Sequence, residues 1–364
     1  MKELSPYKIF NFSDSIDQIR FFGDGSPISA EIDPINSCNH HCKLCSDGKA
    51  THGGDKMSLE AATSIMTQLK EMGVKSVLFK GGGEPTLHPD FSYFIEEAYG
   101  QGFEIGMLTN GSCLSEEIIR DYIVPYCSYI RISLDAVNSK GHREWHRSKF
   151  PYDWNRIIYY INNLVWEKDL QEKPIKIGIN ILYDHTTCYN MSEGVALGDA
   201  LGVDILSFRR AFIEQYGHSE NKWTPELLEL EEEIKKTTKE LVKDKQILDG
   251  MKMHVMFDAS RGTEIGNMAE KALPKCLATP LFAIICADQK VYPCCDLRYM
   301  EEYCYGDLKT QTFEEIWKSD RRKEILNKLV IPKKCFKYCT HRFQYYNEIL
   351  NYLDDPDKPH GGLL

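Results

Sequence analysis

No stretch of the 364 residues is apolar for long enough to cross a bilayer. The opening residues, Met1 to Ser15, lack the basic-then-apolar layout of a secretory signal, so a cytoplasmic protein is expected. Positive charge is in deficit as well. Against 54 Asp and Glu stand 44 Lys and Arg, and the formal charge of −10 argues against broad capture of nucleic acid or an anionic membrane. Internal repeats and low-complexity tracts are missing, which excludes a repeat array. What the chain has in excess is cysteine. Thirteen cysteines without an export signal do not read as disulfides, because cytosolic thiols are kept reduced. Their placement points to metal ligation instead: three fall between Cys38 and Cys45 and seven between Cys276 and Cys339, with only Cys113, Cys127 and Cys188 in between.

Short β-rich apolar runs alternate with longer helical patterns through the first two-thirds of the chain. Strands are predicted at Ile28–Ile35, Ser76–Lys80, Glu104–Leu108, Tyr129–Leu134, Ile175–Leu182 and Asp204–Phe208. Helices are predicted near Ser58–Met72, Asp90–Gln101, Ser115–Val124, Asp153–Glu167 and Met191–Leu201. Six strand–helix units favour a parallel sheet, and they are fewer than the eight of a closed barrel. A charged Glu/Lys-rich helix over Thr224–Lys245 reads as the link to a smaller unit. That unit is expected to hold a strand at Met253–Asp258, a hairpin of Phe282–Cys286 with Lys290–Tyr292, and a helix at Thr312–Leu329. The division this gives is an N-terminal extension at 1–25, a barrel at 26–222, a linker at 223–252 and a C-terminal α+β domain at 253–364.

The first strand runs directly into Cys38-Asn39-His40-His41-Cys42-Lys43-Leu44-Cys45. Three thiolates at this spacing can wrap a loop around one cubane cluster and leave one iron open for chemistry. A zinc site that adds His40 or His41 is the alternative reading of the same spacing. At the end of the second strand stands Lys80-Gly81-Gly82-Gly83-Glu84-Pro85. Glycines there let backbone approach a ligand closely, and the adjacent carboxylate can accept from an ammonium group.

The cysteine loop resembles the CxxxCxxC motif of the radical S-adenosylmethionine (SAM) superfamily, and Gly82-Gly83-Glu84 resembles its GGE motif. The resemblance covers residues 28 to about 210 and implies a partial (β/α)6 TIM-type barrel. It implies a [4Fe–4S] cluster on Cys38, Cys42 and Cys45 whose open iron is chelated by the amino and carboxylate groups of SAM. Reductive cleavage of SAM would then yield a 5′-deoxyadenosyl radical that takes a hydrogen atom from substrate, with flavodoxin or ferredoxin as electron donor. The positions it implies around SAM are Leu44 (where many members carry an aromatic residue), Gly82, Gly83, Glu84, Asn110, Ser133, Asp135 and Arg147, with Arg143 as the rival of Arg147.

The C-terminal part resembles the twitch or SPASM extension of the same superfamily: Cys276, a hairpin, Cys294, Gly306-Asp307, Ile316-Trp317, then Cys335 and Cys339. The C-x2-C-x5-C of a full SPASM domain is not found, so the single-cluster form fits better. The implied ligands of an auxiliary [4Fe–4S] cluster are Cys276, Cys294, Cys335 and Cys339, with Cys295 the rival of Cys294 because adjacent strand residues face opposite ways.

Three readings follow. The first is oxidation or epimerisation of a small hydroxylated substrate such as a sugar or aminocyclitol, as in the aminocyclitol dehydrogenases that the layout resembles. The second is a peptide maturase; the Met1–Gly25 segment is expected to be too short for the peptide-recognition domain such enzymes often carry. The third is a catalytically silent metal-binding scaffold. Cys188, Cys286, Cys295 and Cys304 are spare thiols expected to be core residues. Arg209 and Arg210 are expected at the barrel mouth, either binding an anionic substrate or the cofactor carboxylate or, as the alternative, forming surface ion pairs. His142 and His146 are expected in a loop after the fourth strand.

Overall fold

The computed structural model describes residues 6–43, 45, 54–211, 224–257, 275–329 and 341–354. In chain order the elements begin α1 (Ser13–Phe22), β1 (Ser29–Ile32), α2 (Leu59–Glu71), β2 (Ser76–Phe79), α3 (Phe91–Gly100) and β3 (Glu104–Thr109). Next come α4 (Glu116–Ile118) and α5 (Val124–Tyr126), joined by a π turn, then β4 (Tyr129–Ser133), α6 (Ser139–His146), α7 (Asp153–Leu170) and β5 (Lys176–Tyr183). The barrel elements end with α8 (Met191–Ala200), β6 (Ile205–Arg210), α9 (Pro225–Leu248) and β7 (His254–Phe257). After them stand β8 (Phe282–Ile285), β9 (Lys290–Tyr292), β10 (Gly306–Asp307), α10 (Phe313–Lys318), α11 (Asp320–Lys328) and α12 (His341–Asp354). No helix among the described residues is long and apolar enough to cross a membrane.

The chain divides into two compact units, one of residues 32–63 and 78–258, the other of residues 1–31, 64–77 and 259–364. In the larger unit the strands follow chain order across the sheet, β3 to β7. From β3 onward the pairings are parallel, with Ile130 beside Ile177, Asn180 beside Ser207 and Phe208 beside Phe257. Such a sheet is covered by crossover helices, which explains why β5 carries Ile177, Ile179 and Ile181 in succession, all buried. Helix α7 meets the sheet with Ile157, Ile161 and Leu164, one apolar stripe at helical spacing. Helix α8 lies close because Gly194 and Gly198 face it inward. A Cβ at Gly194 would stand 2.8 Å from the Phe208 ring, and one at Gly198 2.7 Å from Met253 Sδ.

Two expectations about the middle of the chain are corrected. The charged segment expected to link the units is α9, the crossover between β6 and β7. Its buried residues are Glu231, Lys235, Thr238 and Val242, so charge is turned inward along one helical face. Glu231 accepts from Tyr183 Oη at 2.5 Å, from Arg210 Nε at 3.0 Å and again from Arg210 Nη2, and pairs with Lys235 Nζ at 3.0 Å. The strand expected to open the C-terminal domain is β7, which pairs with β6 in the barrel sheet.

The smaller unit is built around the antiparallel strands β8, β9 and β10. The tight β8–β9 turn closes with Gln289 in the left-handed region at φ 68°. The helix expected over Thr312–Leu329 is two helices. Ser319 is extended at ψ 149°, and its Oγ accepts from Arg322 N at 3.1 Å, so it ends α10 and caps α11. The N-terminal segment is part of this unit rather than a separate extension. Trp317 Nε1 donates to Gly25 O at 2.8 Å, and the fully buried Arg322 grips Asp24 with both terminal nitrogens, at 2.6 and 2.7 Å. The Arg322 guanidinium also stands 3.9 Å from the Trp317 ring centroid.

Candidate active site

Backbone bonds fasten the cysteine loop to the glycine-rich end of β2. Gly83 N donates to Ile35 O at 3.0 Å and Glu84 N to Ser37 O at 2.9 Å. The approach leaves no room for a side chain: a Cβ on Gly83 would fall 2.1 Å from Ser37 O. On its other flank the loop rests on the end of α6, where His41 N donates to His146 O at 3.1 Å and Lys43 N to Trp145 O at 2.7 Å. These bonds satisfy carbonyls that a helix C-terminus otherwise leaves open. Cys38, Cys42 and Cys45 face one another closely enough that each of the other two charges would raise the Cys42 thiol. Burial is the larger effect, holding Cys42 well above the ordinary thiol range and Cys38 at about 11. Metal coordination, which ionises a thiol outright, suits such a trio.

Glu84 is buried and already well supplied with donors. Its Oε1 accepts from Thr86 N at 3.2 Å, Thr86 Oγ1 at 2.6 Å and Thr109 Oγ1 at 2.5 Å, and its Oε2 from Asn110 N at 2.7 Å. Burial still pushes its carboxyl up, against the pull of those four donors. Glu84 thus ties the end of β2 to the end of β3, and Oε2 keeps lone-pair capacity for an ammonium group.

Asn110 is tied to the cysteine loop, its Nδ2 donating to Asn39 Oδ1 at 2.9 Å, while its Oδ1 accepts from Ser112 N and Oγ. Asn39 reaches back to Cys113 Sγ at 3.4 Å, which brings a thiol from far along the sequence beside Cys38. Ser133 ends β4, half-buried. Asp135, left-handed at φ 53°, accepts from Asn180 Nδ2 at 2.9 Å and Leu182 N at 3.1 Å, and lies 3.3 Å from His146 Nε2. Arg147 is exposed and caps α6 in the left-handed region, and Arg143 is exposed one turn earlier. Leu44 lies outside the described residues.

Several expectations change here. His142 and His146 are on helix α6, not in a loop, and are buried with their rings stacked at 4.3 Å. Their spacing of four, one face of a helix, was the signal in the sequence. Arg210 turns toward α9 and pairs with the buried Glu231, whereas Arg209 is on the opposite strand face.

The second cysteine group lies in the smaller unit. Cys276 Sγ accepts from the buried Asn347 Nδ2 at 3.3 Å, while Asn347 Oδ1 accepts from Leu277 N at 2.6 Å and Ala278 N at 3.2 Å. Sequence reasoning offered no signal for Asn347. Tyr305 is fully buried, and its hydroxyl has no hydrogen-bond partner among the described residues. Its phenol is held well above the ordinary range by burial, with further upward pushes from Cys294 and Cys276. A buried orphan hydroxyl whose electrostatic surroundings include Cys294 and Cys276 fits a group with sulfur acceptors. Cys188, Cys286 and Cys304 are buried core residues. Cys335 and Cys339 lie outside the described residues.

An α/β barrel with a three-cysteine loop and a GGE turn at one end, followed by a cysteine-rich α+β unit, defines an iron–sulfur enzyme class. The sequence profile of the radical SAM superfamily matches residues 32–170, and that of the SPASM iron–sulfur cluster-binding domain matches residues 276–341. Residues 32–170 thus carry a radical SAM domain and residues 276–341 a SPASM domain, and these domains imply [4Fe–4S] clusters and SAM as cofactors. It is 35% identical over 164 residues to an S-adenosylmethionine-dependent nucleotide dehydratase of Flammeovirga pacifica, covering 43% of this chain and 52% of that one. To the PqqA peptide cyclase of Bradyrhizobium diazoefficiens it is 23% identical over 171 residues, covering 44% and 45%. The chain thus spans about half the length of these curated relatives. Among solved structures it shares the fold of SuiB of Streptococcus suis bound to the precursor peptide SuiA, with a TM-score of 0.64, 17% identity, and coverage of 89% of this chain and 72% of that one.

Proposed function

We propose that the chain cleaves SAM reductively and abstracts a hydrogen atom from a small hydroxylated substrate, giving oxidation or epimerisation. A sugar, an aminocyclitol or the ribose of a nucleotide is such a substrate. Cys38, Cys42 and Cys45 hold the first cluster in this reading, and Cys276, Cys294, Cys335 and Cys339 an auxiliary one. The bound cofactors supply the hydrogen-abstracting radical, with flavodoxin or ferredoxin as reductant. The chain's own residues bind and orient the substrate.

The observation that carries this reading is the face of the barrel sheet turned away from the helices. Phe208 and Ile181 pack on α8, and Ile132 packs with Ile157 of α7. Residues of the opposite parity therefore face the interior. They are Arg131 and Ser133 of β4, Asn180 and Leu182 of β5, and Ser207 and Arg209 of β6, aligned by the strand register. A predominantly polar wall of this kind offers donors and acceptors to hydroxyl groups. The nucleotide-dehydratase relatives accord with it.

A peptide substrate is the second reading, favoured by the peptide cyclases among the relatives and by the SuiB fold. Anaerobic turnover with dithionite separates the two. Candidate polyols, nucleotides and peptides, each deuterated, are supplied in turn, and deuterium is followed into 5′-deoxyadenosine. Label from a polyol or nucleotide supports the first reading, and label from peptides alone replaces it with the second. No 5′-deoxyadenosine from iron-loaded wild type, as from a Cys38/Cys42/Cys45→Ala variant, would leave only a metal-binding scaffold.

A further inference from the structure

Behind the cysteine loop lies a buried group that the proposed radical chemistry leaves unused. His40 Nδ1 and His146 Nδ1 approach to 3.1 Å, and Cys42 Sγ lies 3.4 Å from His146 Nδ1. The three ligand atoms are all within 4.8 Å of one another. Each ring's other nitrogen lies near a carboxylate: His40 Nε2 is hydrogen-bonded to Asp153 Oδ2 at 2.9 Å, and His146 Nε2, which makes no hydrogen bond among the described residues, stands 3.3 Å from Asp135 Oδ2. Those carboxylates are held in turn, Asp153 by Ser148 Oγ and Asp135 by Asn180 Nδ2 and Leu182 N.

With His40 Nε2 protonated toward Asp153 and His146 in the same tautomer, two Nδ1 lone pairs and a sulfur turn to one point. Lone pairs so close repel unless something positive sits between them, a proton or a metal ion. A tetrahedral zinc ion with its usual bond lengths would set nitrogens about 3.3 Å apart and nitrogen about 3.6 Å from sulfur. The observed separations of 3.1 and 3.4 Å are slightly shorter than both, a contraction that a small outward shift of each ligand relieves. His40, its far nitrogen held by Asp153, has the arrangement that orients metal-binding histidines. Two imidazoles and one thiolate suit Zn2+, and Cys42 cannot serve this ion and an iron–sulfur cluster at once.

We propose that, in the cluster-free chain, His40 Nδ1, His146 Nδ1 and Cys42 Sγ bind a single Zn2+ with its fourth position open, and that this ion and the cluster exclude each other. On binding, the Cys42 thiol gives up its proton to solvent and its sulfur joins the metal; no electron is transferred. Zinc would hold the loop on α6 while withholding Cys42 from cluster assembly. The inference goes beyond the proposed radical reaction and does not depend on its substrate.

The test uses the full-length, cluster-free chain under anaerobic conditions, with Cys276, Cys294, Cys335 and Cys339 replaced by alanine in every sample so that the auxiliary site takes no zinc. Zn2+ is competed against a chromophoric chelator, and Co2+ is added in parallel as a spectroscopic substitute. One equivalent of zinc is expected, and the Co2+ spectrum should show tetrahedral bands with the charge-transfer intensity of one thiolate. His146→Asn should lose at least tenfold in zinc affinity and still accept iron and sulfide. Cys38→Ala should lose the cluster and keep zinc. The zinc-loaded parent chain should take up a cluster only after a chelator removes the ion. Absence of zinc binding, unchanged affinity in His146→Asn, or a Co2+ spectrum of three thiolates would overturn the proposal. The Co2+ spectrum of the parent chain decides even if a variant fails to fold. Failure of the radical reading would show separately, as absence of 5′-deoxyadenosine.

Discussion

Asn110 Nδ2 donates to Asn39 Oδ1 at 2.9 Å, a bond between the end of β3 and the interior of the cysteine loop. Asn110 Oδ1 also collects Ser112 N and Oγ, so truncation to alanine strands several polar groups at once. Asn110→Ala should cost about 1–3 kcal/mol of stability. It should also release iron to a chelator faster than wild type. A lowered melting temperature with unchanged iron release would show that the bond stabilises β3 without holding the loop.

Gly83→Ala should be far more damaging than its volume suggests. The added methyl would meet Ser37 O at 2.1 Å and the Ser37 carbonyl carbon at 2.6 Å, both backbone atoms that no rotamer change can move. Loss of iron loading is expected. Gly100→Ala, at the end of α3 with open space around it, serves as the control and should stay within about 1 kcal/mol of wild type. Full iron loading in the Gly83 variant would contradict the close approach of β2 to the loop.

Glu231→Ala removes the single carboxylate that Tyr183, Arg210 and Lys235 share. Breaking a buried pair by deleting one partner costs about 3–5 kcal/mol, because the remaining charge stays buried. Urea unfolding should show a midpoint lowered to match. The double variant Glu231→Leu with Lys235→Met should recover part of the loss.

Tyr305→Phe separates the cluster-free and cluster-bound forms. Without a cluster, deleting an unpartnered buried hydroxyl should leave stability unchanged or raise it slightly. With the auxiliary cluster bound, a donor to its sulfur stabilises the more negative, reduced state. The phenylalanine variant should therefore show a lower reduction potential for that cluster alone. Potentiometric EPR reads the shift, and an unchanged potential would place the phenol away from the cluster.

His88 gives a pH dependence remote from the cysteines. Its Nε2 donates to Met57 O at 2.7 Å and its Nδ1 accepts from Asp90 N at 3.1 Å, which fixes the neutral ring. Burial holds its pKa below the ordinary value of 6.5. The unfolded chain then binds a proton more readily than the folded one, so stability should fall as pH drops through 6.5. His88→Gln should flatten that part of the pH–stability profile, and an unaltered profile would assign the slope to other groups.

The strands were legible because a parallel sheet covered by helices must be written as short runs of isoleucine and valine, as in Ile175–Leu182. The cysteine loop and the GGE turn were legible because metal and cofactor chemistry tolerates few residue types at fixed spacing. Orientation was harder to read. Arg209 and Arg210 are neighbours in sequence, yet strand alternation sends one inward and the other to Glu231, and only the register says which. Glu231 and Lys235 fell in a segment that read as a linker, because composition does not reveal that Tyr183 and Arg210 pack against it. The buried histidines were misread one at a time, although the spacing of His142 and His146 marked a helix face. Asn347 had no local signal, since its partners Cys276, Leu277 and Ala278 are about seventy positions away.

The grip of Arg322 on Asp24 also bears on how the chain comes to be folded. The two residues are separated by 298 positions, so Asp24 leaves the ribosome long before its partner exists. Residues 78–258 of the barrel are contiguous and can find one another as they emerge. The unit that binds the N-terminal segment cannot close until Arg322 has been made, which makes Asp24 and Gly25 early-made parts of a late-closing piece.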